Sequence, residues 1–272
     1  EVLDAVESAT GIRLGMLSGV EEAKLTFLAA RRWLGWRAGP MLMLDIGGGT
    51  AEVAFGPDRL PESALSLPLG AGRLTRQFLR EGDPPPAAAV RRLRGHVRRQ
   101  VRELVAQASW EPRRTAVAAS ATLRQLARLT GAAPLRRGPF VDRRLRRRSL
   151  RPWIDRLAAM PTARRAELPG VSGHRARQLL AGAIVGYELM RDLDIAVVRV
   201  CPWGLREGIL LRRLEICQPE LGHAGWVSCG SPGGRRDDVR FTLVLRYAIA
   251  TLLARALQRG APGERGRDAG VP

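Results

Sequence analysis

The spacing of apolar positions along the 272-residue chain changes between two periods. Met41 to Leu44 is a continuous apolar run that stops at Asp45. After three glycines a second apolar run covers Glu52 to Phe55. Short runs bounded by glycine predict strands, and this pair predicts a hairpin. "SALSLPLGAG", starting at Ser63, predicts another strand, ending in glycines before a helix from Arg73. "TAVAA" (Thr115 to Ala119) and "AVVRV" (Ala196 to Val200) predict two more strands. Between the runs the spacing is helical. An amphipathic helix opens the chain, and a second starts at Ser18, where Glu21 three residues on completes a capping box. That pairing leaves Glu22 free to point elsewhere. Further helices are predicted over Ala87 to Ala108, Thr122 to Gly131, Trp153 to Met160 and Leu179 to Leu193. A last helix follows the turn in "CPWGLREGILLRRL". "GDPPP" and Glu167 to Gln178 read as loops. Strands alternating with helices predict an α/β architecture.

Composition adds charge to this picture. The hydrophobic fraction of 45% is enough to build a core, and the formal net charge is +19. Lys24 is the sole lysine among 45 basic residues, so the excess is arginine. Guanidinium forks suit phosphate oxygens, although arginine in place of lysine also follows from a GC-rich coding sequence. The densest basic section is Pro134 to Arg151, which reads either as a grip on a polyanion or as a solvated helix face or loop. No aromatic residues interleave with these arginines and no zinc-finger spacing is present, so sequence-specific nucleic-acid reading is not expected. Cys201, Cys217 and Cys229 lack the spacing of a disulfide scaffold or zinc site, which points to a reducing compartment. Phe241 to Leu257 carries Arg246 and Arg255 and is too short to span a bilayer. A packed or amphipathic helix is expected there, and no membrane partner.

The glycine turn is where chemistry enters. It is no P-loop, since no Gly-Lys-Ser/Thr follows, and no dinucleotide fingerprint, since a strand rather than a helix comes next. What remains is strand, Asp45, Ile46, Gly47-Gly48-Gly49-Thr50, strand. Such a turn lets backbone N–H groups approach a phosphate with no Cβ in the way, and a strand-end carboxylate can hold Mg²⁺. An ordinary glycine hairpin is the alternative, against which Asp45, Thr50 and Glu52 weigh.

The ordered set "SGVEEAKLTFLAARRWLG", "LMLDIGGGTAEVAFG", "SLPLGAGRLT", "AASATLRQLARLTG", "LPGVSGHRARQLLAGAIV" and "CPWGLREGILLRRL" resembles the exopolyphosphatase/guanosine pentaphosphate phosphohydrolase (Ppx/GppA) family, from about residue 1 to Leu214. The resemblance implies an actin/sugar-kinase/Hsp70-like, ribonuclease-H-like α/β fold, in which two lobes enclose a cleft. It also implies Mg²⁺-dependent release of the terminal phosphate of inorganic polyphosphate, or of the 5′ γ-phosphate of guanosine pentaphosphate. The family's catalytic base falls on Glu22, its metal carboxylates on Asp45 and Glu52, and its phosphate contacts on Gly47, Gly48, Gly49, Thr50, Arg124 and Arg175. In "SATLR", Ala121 replaces a glycine of the family's second turn, and Ala51 replaces a threonine. His174 is expected on the surface or in packing. "GLREG", Gly204 to Gly208, is expected to cap a helix and anchor it against the sheet.

The family's first phosphate loop, a strand followed by "DxGSNS" or "DxGTNS", has no counterpart. One lobe is therefore expected to be mostly missing, with residues 1–37 its remnant, 38–214 the second lobe, and 215–272 a non-family tail, partly disordered. Two classes of function follow: a phosphohydrolase retaining Glu22, Asp45 and Glu52, or a non-catalytic remnant that binds polyanions through its arginines. A sugar kinase or Hsp70-like ATPase is disfavoured because no adenosine-pocket signature is present. A cytoplasmic location and a homodimer complete the expectations.

Overall fold

The computed structural model describes residues 2–10, 15–35, 38–107 and 114–217. The Phe241 to Leu257 helix and the tail beyond residue 217 lie outside the described residues. Glu1–Pro219 form one compact unit. Its elements are α1 (Val2–Thr10), α2 (Gly19–Leu34), β1 (Met41–Ile46), β2 (Ala51–Gly56), β3 (Ser63–Leu67), α3 (Ala71–Phe78), α4 (Ala87–Gln107), β4 (Thr115–Ala118), α5 (Ala121–Leu129), β5 (Arg144–Arg146), α6 (Arg147–Ala158), α7 (Thr162–Ala166), α8 (Gly173–Ala176), α9 (Leu179–Asp192), β6 (Val197–Val200) and α10 (Leu205–Cys217).

Six strands form one sheet in the order β3-β2-β1-β4-β6-β5. The expected hairpin is present: β1 and β2 are antiparallel, with Met41 opposite Gly56 and Ile46 opposite Ala51. β3 continues that meander on the outer side. On its other side β1 pairs parallel with β4, and β4 parallel with β6. The carboxyl ends of three parallel strands therefore lie together, the place where open α/β sheets bind ligands.

β1 reads as an unbroken apolar run because both of its faces are covered. Leu42, Leu44 and Ile46 join a large core with Val53, Phe55, Leu93, Val97, Leu123, Leu150, Ile184 and Val185. At its centre is α9, apolar on nearly all sides and buried accordingly. Met41, Met43 and Asp45 alternate onto the opposite face, where α2 lies. Arg31, fully buried in α2, ties that helix to the sheet by donating to the carbonyls of Gly39 (2.7 Å) and Gly56 (2.8 Å). α10 packs on α2 in turn. A Cβ on Gly208 would overlap the Leu25 carbonyl, so only glycine permits that approach. The "GLREG" segment does cap its helix, Gly204 N donating to Glu207 Oε2 at 2.7 Å, but it anchors against α2 rather than against the sheet.

Three sequence expectations change. The helix expected from Arg73 begins at Ala71, with Gly70 at its N-cap. The helix expected from Trp153 begins at Arg147 and carries Pro152 inside it. The basic section is neither a loop nor simply a solvated face: it supplies β5, pairing antiparallel with β6, and the first turn of α6. Arg143 just before β5 is buried, and its guanidinium donates to the carbonyls of Ala133, Pro134, Gly138 and Val141 at 2.7–3.0 Å. Arg147 donates to Met190 O at 3.0 Å. These arginines satisfy backbone acceptors, a structural duty that a charge count cannot distinguish from ligand binding. Among the described residues no helix is long and apolar enough to cross a membrane.

Candidate active site

The capping box predicted at α2 is formed. Glu21 N donates to Ser18 Oγ at 3.2 Å, while Ser18 N and Oγ both donate to Glu21 Oε2 at 2.8 Å. The exposed carboxylate of Glu21 is thereby held by the helix start, which also holds its pKa below the usual value. Its neighbour Glu22 is half-buried in the first helical turn, with no hydrogen bond or ion pair to its carboxylate among the described residues. What brings this turn down onto the sheet is Gly19: a Cβ there would overlap the Ser66 side chain.

Beneath it the register lines up three polar side chains. Asp45 pairs directly with Glu52, and Glu52 with Ser66. All three alternate onto the face covered by α2. Ser66 Oγ donates to Glu52 Oε1 at 3.0 Å, and the Thr50 hydroxyl lies near enough to favour the ionised Glu52 carboxylate. Glu52 is buried, and burial raises its pKa, with the nearby charge of Glu22 adding to the effect and the two hydroxyls opposing it. Asp45 is pushed up to about 7, first by burial and then by the charges of Glu52 and Glu22, with Arg124 and Arg175 pulling the other way. A group that feels the charges of four other expected site residues marks their convergence on one spot, and strongly shifted carboxylates in a cleft are what functional sites produce.

The glycine turn sits at the edge of this cluster. Gly47 N donates to Thr50 O at 2.9 Å and closes the turn, so of the three expected amide donors one is occupied. The exposed amides of Gly48 and Gly49 bond to nothing among the described residues. Neither glycine has a positive φ, and a Cβ on either would meet nothing within 4 Å. The fold leaves room for a side chain at either position, and with glycine there the two amides stay open to an approaching phosphate. The turn is instead held from below. Ala71 N donates to Gly47 O (2.9 Å) and Arg73 N to Gly48 O (2.8 Å), both at the start of α3.

Sequence reasoning missed the glycines that do this. A Cβ on Gly70 would overlap the backbone of Gly49 and Thr50, and one on Gly72 would come 2.8 Å from Gln178 Oε1 and 3.0 Å from Gly48 O. Their only signal was the "GAG" spacing after β3, which read as a strand end. Ser66 was missed for a related reason, since its role follows from register across three strands. Arg124 lies on α5, whose N-cap Ser120 accepts from Leu123 N at 3.0 Å and which starts at the carboxyl end of β4 beside Asp45. Ala121, at its first position, lines the cleft without crowding that cap. Arg175 is half-buried on the short α8, and His174 beside it is exposed, as expected.

Among the described residues no group of three or more His, Cys, Asp or Glu is arranged to enclose a metal ion. Asp45 and Glu52, hard oxygen ligands pushed toward the neutral form first by burial and then by neighbouring carboxylates, suit a divalent ion that takes one or two carboxylates and completes its shell with water and phosphate oxygens.

The crystal structure of the Aquifex aeolicus member of the Ppx/GppA family superposes with a TM-score of 0.66 at 25% identity, covering 78% of this chain and 68% of that one. Sheet order and neighbours define an α/β domain of the actin-like, ribonuclease-H-like class, of which this chain covers part. An uncharacterized protein of Streptomyces coelicolor is 54% identical over 216 residues, 79% of this chain and 64% of that protein. Exopolyphosphatase 1 of Mycobacterium tuberculosis is 50% identical over 217 residues, 79% of this chain and 62% of that protein. The model of the Ppx/GppA phosphatase family matches residues 1–216, and the chain belongs to that family. It spans less than two thirds of the length of these two relatives.

Proposed function

We propose that this site hydrolyses the terminal phosphoanhydride bond of inorganic polyphosphate. The observation that carries the reading is the placement of Glu22 over the Asp45–Glu52–Ser66 row, beside the two open amides of Gly48 and Gly49. The name of the Mycobacterium tuberculosis relative supports the substrate class. Glu22 orients a water and accepts its proton as the water oxygen attacks the terminal phosphorus. The bridging P–O bond breaks, the shortened chain leaves with the bridging oxygen, and orthophosphate is released. Phosphoryl transfer asks the protein mainly for positioning and charge stabilisation. Gly48 N, Gly49 N and the Thr50 hydroxyl take phosphoryl oxygens, while Arg124 and Arg175 offset their charge. Asp45 and Glu52 would hold Mg²⁺, which supplies Lewis-acid neutralisation of the phosphate oxygens when bound. The same chemistry fits the 5′ γ-phosphate of guanosine pentaphosphate.

The test is phosphate release from long-chain polyphosphate, with and without Mg²⁺, by this chain and its Glu22→Ala variant. Metal-dependent release that is lost in the variant supports hydrolysis. Binding without release in either protein leaves a polyanion-binding protein.

A further inference from the structure

Beyond the catalytic cluster, a cleft of about 430 Å³ runs along the outer face of α5. Ala121, Arg124, Gln125 and Arg128 form its floor, at the spacing that places side chains on one helical face. The loop carrying Pro134, Leu135 and Arg136 forms one wall, and Pro169 and Gly170 line it as well. Arg124 belongs both to this cleft and to the groups that act on Asp45, so the cleft opens from the catalytic cluster. From Ala121 to Arg128 the helix rises roughly 10 Å.

Each guanidinium here has a different setting. Arg143, also at the wall, gives its donors to four carbonyls and so fixes the 133–141 loop. Arg136, exposed on that loop, bonds to nothing among the described residues. Arg128 packs its stem on Gly170, whose φ of +82° and close approach admit no Cβ, and gives one bond to Ala132 O at 3.2 Å. Gln125 Nε2 donates to Ser172 Oγ at 2.8 Å while its buried Oε1 has no partner. A hydroxyl donates as readily as it accepts. Exchange of the amide oxygen and nitrogen therefore lets Oε1 accept from the Ser172 hydroxyl. Apolar walls of Ala132, Ala133, Pro134 and Leu135 keep the local dielectric low, which strengthens every guanidinium–phosphate contact.

We propose that this cleft is a chain-length subsite, in which Arg128 and Arg136 hold the phosphates of a polyphosphate that lie beyond those gripped at Arg124. The inference rests on the polyphosphate reading for its ligand class but not on catalysis. Chains too short to pass Arg124 gain nothing from the cleft, and longer ones do.

The test is equilibrium binding of tripolyphosphate and long-chain polyphosphate across a salt series, using the full chain and an Arg128→Met/Arg136→Ala double variant. Methionine keeps an unbranched stem against Gly170. Thermal unfolding and phosphate release from both substrates are recorded alongside. The expected result is that the unsubstituted chain prefers the long polymer by about tenfold or more. The variant loses that preference, and its slope of log affinity against log salt for the long polymer falls by about two. Tripolyphosphate binding and the unfolding temperature stay unchanged. No chain-length preference in the unsubstituted protein, or an undiminished one in the variant, overturns the proposal. So does tighter binding of guanosine pentaphosphate than of inorganic chains of equal charge, abolished by Gln125→Leu, which makes the cleft a nucleoside site. Length-dependent binding with no phosphate release removes the hydrolytic reading and leaves this one standing. Release with unaltered chain-length preference does the reverse.

Discussion

Asp45 and Glu52 face each other as direct partners in the β1–β2 ladder, so two carboxylates meet at the carboxyl end of a buried strand with Glu22 above them. Burial raises the pKa of both, the charge of Glu22 adds to each, and Glu52 raises Asp45 further. The arrangement is unfavourable for the carboxylates by themselves and suits a cationic occupant.

Loss of the Asp45 charge has a stability signature with a definite sign. An acid whose folded pKa of about 7 lies above its ordinary 3.8 contributes stability below pH 4 that is lost as pH rises through 7. In metal-free buffer Asp45→Asn is therefore expected to melt higher than the unsubstituted chain at pH 8, by on the order of 2–4 kcal/mol. The difference should vanish near pH 4, and thermal unfolding at the two pH values checks it.

Glu22→Ala is expected to lower phosphate release by roughly 10²–10⁴-fold, as loss of a general base does, while polyphosphate affinity stays within about threefold. Glu21→Ala gives the opposite pattern. It removes a capping box, costs about 1 kcal/mol of stability, and leaves most of the turnover. The pair of variants, assayed for release and melting together, separates the two neighbouring carboxylates.

The glycines divide in the same manner. Gly48→Ala has room within the fold and no positive φ to strain, so its melting temperature is expected to match the parent while phosphate binding weakens. Gly70→Ala drives a Cβ into the Gly49–Thr50 backbone and is expected to cost about 1–3 kcal/mol. Calorimetry with phosphate titration distinguishes them.

Arg143→Ala removes four carbonyl partners' donor at a buried position and is expected to destabilise by about 3 kcal/mol. Arg143→Lys should not restore it, because an ammonium cannot span the same fork. Urea titration of both variants tests this.

The capping box, the hairpin and the apolar α9 were legible because each is written in a few adjacent residues or one uninterrupted period. β5 and the start of α6 were not. Leu145 and Leu150, the buried positions that define them, are embedded in a run of arginines whose charge masks the pattern. The expected helix starts at Trp153, just after Pro152, yet packing of Leu150, Ile154 and Leu157 carries the helix through that proline. At the site, Glu22, Asp45 and Glu52 were visible through family resemblance and local motif. Ser66, Gly70 and Gly72 act only through strands and loops far from them in sequence, and no local signal reports such an approach.

The contact between Gly208 and the Leu25 carbonyl lies one helical turn beyond Glu22. Any side chain at 208 forces α2 and α10 apart and shifts the Glu22 carboxylate relative to Asp45. A genetic screen for inactive alleles would then recover Gly208 beside Glu22, and a residue that touches no reacting atom would score as essential.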